Sequence, residues 1–310
     1  MTTHDFGPLV LGGNTFGWTS SKEESFAVLD AFVAAGGRAI DTADVYSSWA
    51  PGNSGGESET VLGEWLARRG RRDDVQIHTK VFALETRPGL SAANIRAAVD
   101  DSLRRLQTDH LDLYYAHRDD PDVAQEEYVA AFGELVAAGK IRAVGASNFT
   151  AERLRSAVAI AADLGVTGFT VSQDGYSLVR RDYESTLRDT VAELGLVQLP
   201  YGALQGGFLT GKYRPGVAVE SARAGNASKL LDDPRNLALL DALDRVADAR
   251  RVSVAAVALA WLRQQPTVRA PIASARTTEQ LPQLVESFDL ELSAEELALV
   301  GSPTAPQHAA

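Results

Sequence analysis

QGGFLTGKY, residues Gln205 to Tyr213, is the stretch on which the fold turns. From Gly206 it runs glycine, four residues, Gly211 and Lys212, which is the phosphate-cradling pattern of a P-loop up to its last position. There a serine or threonine hydroxyl should hold Mg²⁺, and Tyr213 stands instead. A P-loop also opens straight into a helix. Here Arg214–Arg235 comes next, polar and without clear periodicity. Whether the stretch belongs to an open nucleotide-binding sheet or to the rim of a barrel depends on its neighbours on either side.

Outward from this loop, short apolar runs alternate with amphipathic segments. Candidate strands are Leu9–Gly12, Arg38–Asp41, Val75–Lys80, Leu111–Ala116, Ile141–Ser147, Phe169–Gln173, Leu196–Pro200 and Val268–Ile272. Several are continuously apolar, as in parallel strands covered on both faces. Helical periodicity covers Lys22–Ala35, Glu57–Arg69, Ala92–Leu106, Val123–Ala138, Ala151–Leu164, Asp182–Leu194, Val252–Gln264 and Thr278–Ser287. Ser91 reads as an N-cap, and Gly36-Gly37, Gly139, Gly165 and Gly195 stand where a left-handed residue ends a helix. Eight strands, each followed by a helix, predict a (β/α)₈ TIM barrel as a single domain over 1–310, with its active site at the C-terminal face of the strands. Gly12-Gly13-Asn14-Thr15-Phe16-Gly17 lacks the G-x-G-x-x-G spacing expected of a dinucleotide-binding open sheet. The expected exceptions to regular structure are a long loop at 214–235 after the seventh strand and a flexible tail at 302–310.

Composition bounds the function. The 310 residues carry a formal net charge of −11, which argues against a nucleic-acid or anionic-membrane partner. A chain without cysteine has no disulfide, thiolate nucleophile or Cys-ligated metal. No signal peptide and no membrane-spanning apolar run is visible, so a cytoplasmic enzyme is expected. No heptad pattern marks a coiled-coil partner.

On a barrel, chemistry gathers where strands end. The second strand delivers Asp41, with Tyr46 five residues beyond; the third ends at Lys80; the fourth places His117 at its tip. A tyrosine near its ordinary pKa of about 10 exchanges protons poorly at neutrality. A lysine ammonium beside it favours the phenolate and is expected to pull that value down, while an aspartate keeps the buried lysine charged. A histidine facing the same point polarises a carbonyl oxygen or passes the proton. Together the four make a proton donor aimed at a carbonyl, which then needs a hydride source.

The motifs DTADVYS, HTK, YYAH, GASNF, LPYGALQGGFLTGKY and ASARTTEQL resemble those of the aldo-keto reductase superfamily, in the same order, from about Gly12 to Ser287. The resemblance implies that Asp41, Tyr46, Lys80 and His117 are the catalytic tetrad. It also implies that NADPH supplies the hydride, NADH being the lesser choice, with a small-molecule carbonyl as substrate and no metal. Ser147, Asn148 and Gln173 would then meet the nicotinamide carboxamide, and Tyr201 would stack on the ring. Thr15 and Phe16 after the first strand, and Gly202 and Leu204 after the seventh, belong to the implied cofactor site. Gly206, Gly207, Gly211 and Lys212 would cradle the pyrophosphate, with 214–235 folding over as a clasp. Ser274, Arg276 and Gln280 match the adenosine end, Arg276 facing the 2′-phosphate. Two departures stand out: Gly202 and Ala203 replace a serine and a proline, and Leu284 stands where many members have asparagine. Trp18, Trp49 and Phe82, with the ring of Phe16, fall at the substrate-pocket positions. Two other readings are a cofactor-binding regulatory subunit with little turnover, and a glycoside hydrolase using Asp119/Asp120 or Glu57/Glu59.

Overall fold

The computed structural model of the chain describes residues 5–219 and 224–306. Eight strands form one parallel sheet: β1 (Val10–Gly12), β2 (Ala39–Asp41), β3 (Gln76–Val81), β4 (Leu113–Ala116), β5 (Val144–Ser147), β6 (Phe169–Gln173), β7 (Val197–Gln198) and β8 (Ile272–Ala273). Their spatial order is β7-β6-β5-β4-β3-β2-β1-β8. The seam is closed just ahead of β8, where Gln198 N donates to Thr267 O at 2.8 Å and Arg269 N donates to Gln198 O at 2.9 Å. The sheet thus closes on itself, and the architecture is a (β/α)₈ barrel.

The period of two along each strand divides the side chains between two cores. Val10, Ala39, Leu113, Tyr115, Val171 and Leu199 belong to the cluster inside the barrel, with Phe6. Leu9, Leu11, Ile40, Ile77, Val81 and Tyr114 belong to the cluster between sheet and helices. The same alternation carries the strand ends: Ala39 inward leads to Asp41, Leu113 and Tyr115 lead to His117, and Val171 leads to Gln173. Polar side chains thus stand at the end of each of these strands or one residue beyond it, above an apolar interior.

The surrounding helices are α1 (Lys22–Ala34), α2 (Glu57–Arg69), α3 (Ala92–Leu106), α4 (Gln125–Ala137), α5 (Ala151–Leu164), α6 (Thr186–Glu193), α7 (Ala224–Lys229), α8 (Pro234–Arg250), α9 (Val254–Arg263), α10 (Pro282–Val285) and α11 (Ala294–Gly301). Ile95, Val99 and Leu106 bury one stripe of α3, each such side chain contributing about 1.5–3 kcal/mol. Gly63 is required where α2 meets the end of α3, because a Cβ there would lie 2.0 Å from Arg105 O.

Several expectations change. The helix predicted over Asp182–Leu194 is a 3₁₀ turn, Asp182–Glu184, followed by the shorter α6, because Ser185 leaves helical geometry at ψ −138. Helix α8 was hidden behind the polar stretch; Asp233 accepts from Arg235 N as its N-cap and Pro234 opens it, a start signal read as loop. Helix α11 was likewise missed, although Ser293 and Glu296 form a capping box. Within the predicted long loop, α7 and the 3₁₀ turn Leu230–Asp232 are regular, and residues 220–223 lie outside the described residues. Of the expected tail, 302–306 continues from α11, with Ser302 N bonded to Ala298 O, and 307–310 lie outside the described residues.

Candidate active site

Lys80 is fully buried, and its Nζ donates to Asp41 Oδ2 at 2.6 Å, Thr42 O at 2.7 Å and Tyr46 Oη at 3.0 Å. Those are three bonds for the three protons of an ammonium. Asp41, itself buried, receives Gln173 Nε2 at 2.9 Å on its other oxygen, and the Tyr46 hydroxyl stands 3.3 Å from Oδ2. The His117 ring faces Tyr46 edge-on, with centroids 6.1 Å apart. The four residues expected to act together are together.

Their electrostatics differ from expectation at one point. Burial, and then the charge of Asp41, hold the Tyr46 hydroxyl well above its ordinary value of 10.0, although Lys80 was expected to draw it down. The ammonium beside it works in the opposite sense, but desolvation and the nearby carboxylate win. Burial lowers Lys80, and Asp41, Asp44 and Glu59 oppose that. Burial, then the charges of Lys80 and Arg118, push His117 well below 6.5. At neutral pH the site therefore presents a protonated phenol and an uncharged imidazole beside a buried ion pair.

A cleft of about 660 Å³ opens from this group across the mouth of the barrel. Asp41, Tyr46, His117 and Trp18 line one part; Ser147, Asn148, Gln173 and Tyr201 line the next. The Tyr201 hydroxyl donates to Asn148 Oδ1 at 2.7 Å, and Asn148 Nδ2 donates to His117 O at 3.1 Å. Asn148 itself is left-handed, at φ 57, and its N–H is anchored on the buried carboxylate of Asp174 at 3.0 Å. Burial raises Asp174 to about 6. Gln173 differs from expectation in that its amide N–H is taken up by Asp41.

Beyond Tyr201 lies the stretch that raised the P-loop question. Gly202, Gly206 and Gly207 sit at φ 71, 64 and 94, conformations that leave the backbone bare toward the cleft they line with Leu204. Lys212 is exposed on the same wall, its Nζ 5.2 Å from the Tyr213 ring centroid. On the far side, Ser274 Oγ donates to Asn14 Oδ1 at 2.6 Å, and Gln280 Oε1 accepts from Arg276 N at 3.0 Å. Arg276 and Leu284 complete that end. The Thr15 hydroxyl, buried and lining the cleft, has no hydrogen-bond partner among the described residues. A nicotinamide dinucleotide fits this donor set: a tyrosine ring, bare glycine backbone and two cations, Lys212 and Arg276, succeed one another along the cleft.

Some expected residues lie elsewhere. Phe16 is wholly buried in the outer core, and its ring does not line the cleft. Phe82 also packs against that core, its backbone turned away at φ 140. Gly211 is the left-handed cap of its turn, facing Val254 rather than the cleft. Trp49 is 48% exposed at the rim, 5.5 Å from Trp18 and 6.1 Å from Tyr46 between ring centroids. No described residue of 214–235 lines the cleft, and Arg214 pairs with Asp244 of α8, so the clasp is not formed by those residues. Asn14, Thr19, Arg118, Gln205 and Thr210 line it without having been singled out. For Arg118 the available signal was its place directly after His117.

The carboxylate pairs of the hydrolase reading are claimed as well. Asp119 binds Arg153, Asp120 accepts from Leu90 N, Glu57 caps Ser54 and Gly55, and Glu59 binds Thr79 and Arg105. None of them lines the cleft.

The sequence profile described as Aldo/keto reductase family matches residues 8–302. The chain belongs to that family. An uncharacterized oxidoreductase of Bacillus subtilis is 32% identical, over 94% of this chain and 90% of its own length. A norsolorinic acid reductase of Emericella nidulans is 33% identical, covering 94% and 76%. A putative aryl-alcohol dehydrogenase of Saccharomyces cerevisiae is 30% identical, covering 95% and 82%. Members of the aldo/keto reductase family are oxidoreductases that generally use a nicotinamide cofactor. Among the described residues, no helix is long and apolar enough to cross a membrane.

Proposed function

We propose that the protein reduces an aldehyde or ketone to an alcohol with NADPH, Tyr46 providing the proton. The observation that carries this reading is the Lys80 ammonium held between a carboxylate at 2.6 Å and the Tyr46 hydroxyl at 3.0 Å, at the floor of an open cleft. The chemistry that NADPH would supply when bound in the cleft is a hydride for the carbonyl carbon. Tyr46 gives its proton to the carbonyl oxygen, and Lys80 stabilises the phenolate that remains. Asp41, fixed by Gln173, keeps Lys80 charged and in place. His117, uncharged, hydrogen-bonds the carbonyl oxygen and orients it toward Tyr46.

Tyr201, tied to Asn148, would support the nicotinamide ring, the bare glycine turns would receive the pyrophosphate, and Arg276 would receive the 2′-phosphate. The names of two relatives, a putative aryl-alcohol dehydrogenase of Saccharomyces cerevisiae and an aryl-alcohol dehydrogenase of Pestalotiopsis microspora, support an aryl body on the substrate. So does the aromatic rim of Trp18 and Trp49.

The test is loss of NADPH absorbance in the presence of 4-nitrobenzaldehyde. Wild type turns over, and Tyr46→Phe falls by about 10²–10⁴-fold while retaining NADPH binding by fluorescence titration. Full turnover by Tyr46→Phe removes the mechanism.

A further inference from the structure

Three basic side chains that line the cleft have no ion pair and no hydrogen bond through their charged ends among the described residues: Arg118, Lys212 and Arg276. Most arginines of this acidic chain are paired. Arg245, Arg251, Arg269 and Lys229 also lack an ion pair among the described residues but lie outside the cleft, so the three unpaired cations along it are the ones placed to receive anions there. Lys212 and Arg276 lie on the walls after β7 and β8, at the end assigned above to the cofactor phosphates. Arg118 lies across the mouth, after β4, adjoining His117, where those phosphates have no place.

Nor has Arg118 a counter-ion among the described residues. Asp119 is held by Arg153 at 2.6 and 2.9 Å and by the Tyr128 hydroxyl at 3.0 Å. Asp120 is turned inward to Leu90 N at 2.8 Å and Asp122 N at 3.1 Å. The two nearest carboxylates in sequence are thus locked to other groups, leaving a guanidinium exposed toward the substrate end. Trp18, which lines the same cleft, meets Trp49 edge to face at 5.5 Å, and Tyr46 faces Trp49, an apolar wall for a flat ring.

We infer that Arg118 is a specificity-determining residue that selects aromatic aldehydes or ketones bearing an anionic oxygen group, a carboxylate or a phosphate. The inference rests on the carbonyl-reductase reading. Arginine suits the task because its planar fork can take two oxygens of either anion, and a net charge of −11 gives such substrates no general attraction to the protein.

The test compares 3- and 4-formylbenzoate with their methyl esters, and 4-formylphenyl phosphate with 4-methoxybenzaldehyde, using the full-length protein and NADPH. For at least one charged member, kcat/KM exceeds that of its neutral match by about 10- to 100-fold, the range of a charge-assisted hydrogen bond. Most of the difference lies in KM. In Arg118→Gln the charged-to-neutral ratio falls toward one, and Arg118→Lys restores part of it. The benzoate and phosphate arms tell which anion is preferred. A ratio near one in wild type, or a ratio preserved in Arg118→Gln, overturns the inference while leaving the reductase reading intact. Turnover of no aldehyde at all removes that reading and this inference with it.

Discussion

Replacing Asp41 by asparagine tests the electrostatics of the site without changing its shape. The carboxylate is the counter-ion of a fully buried ammonium 2.6 Å away. Stripping one partner from a buried pair costs about 3–5 kcal/mol. The ceiling is set by the alternative of releasing the proton. From the ordinary value of 10.5, that costs about 1.4 kcal/mol per pH unit, hence roughly 5 kcal/mol at pH 7 and about 1.4 kcal/mol at pH 9.5. The sign follows from the direction of the shift. Burial lowers Lys80 in the folded state, and losing Asp41 lowers it further, so the unfolded chain binds the extra proton and stability rises with pH. Urea unfolding of Asp41→Asn should therefore show a deficit against wild type of about 3–5 kcal/mol at pH 7, shrinking to about 1.5 kcal/mol or less at pH 9.5. A deficit that stays level across that range would mean that Lys80 is not charged through Asp41, and the electrostatic role given to that carboxylate would fall.

Other outcomes test separate parts of the molecule. Arg276→Ala should weaken NADPH by roughly 10- to 100-fold and leave NADH within a factor of about two, measured by fluorescence titration side by side. Burial, reinforced by Glu59, raises Asp44 to about 7, so its ionisation destabilises the fold as pH rises from 3.8 through that value. Asp44→Asn should then be more stable than wild type at pH 8, by up to about 4 kcal/mol, with the gain vanishing near pH 4 in a thermal-melt series. Gly63→Ala would drive a Cβ to 2.0 Å from Arg105 O, so it should cost about 3 kcal/mol or more, read as a lower melting temperature or as loss of soluble protein.

Which residues form the core of the site was legible in the sequence because strand ends and motif order are local properties. Asp41, Lys80 and His117 come at or just beyond the strand ends, and Tyr46 is set by a fixed short connection. The substrate rim was less legible, because a side chain's direction beyond the last strand residue depends on backbone angles that composition does not reveal. Phe82, at φ 140, turns into the core, and Phe16 folds beneath its loop with Ser47 Oγ donating to its carbonyl at 2.7 Å. The loop at 214–235 concealed the start of α8 for a related reason. Asp233-Pro234 signals a helix only if the succeeding turns pack, and that is a tertiary fact.

The sequence by itself determined the barrel, the placing of Asp41, Tyr46, Lys80 and His117 at or just beyond its strand ends, and the glycine turns of QGGFLTGKY, since all depend on periodicity, turn chemistry and residue type. Only the tertiary structure decided the charge states and the free partners. Tyr46 keeps its proton because burial outweighs the single ammonium beside it. Arg118 stands unpaired among the described residues because Arg153, distant in the chain, folds back onto Asp119. Desolvation and competition for counter-ions are sums over everything nearby, and proximity of that kind exists only once the chain has closed into its barrel.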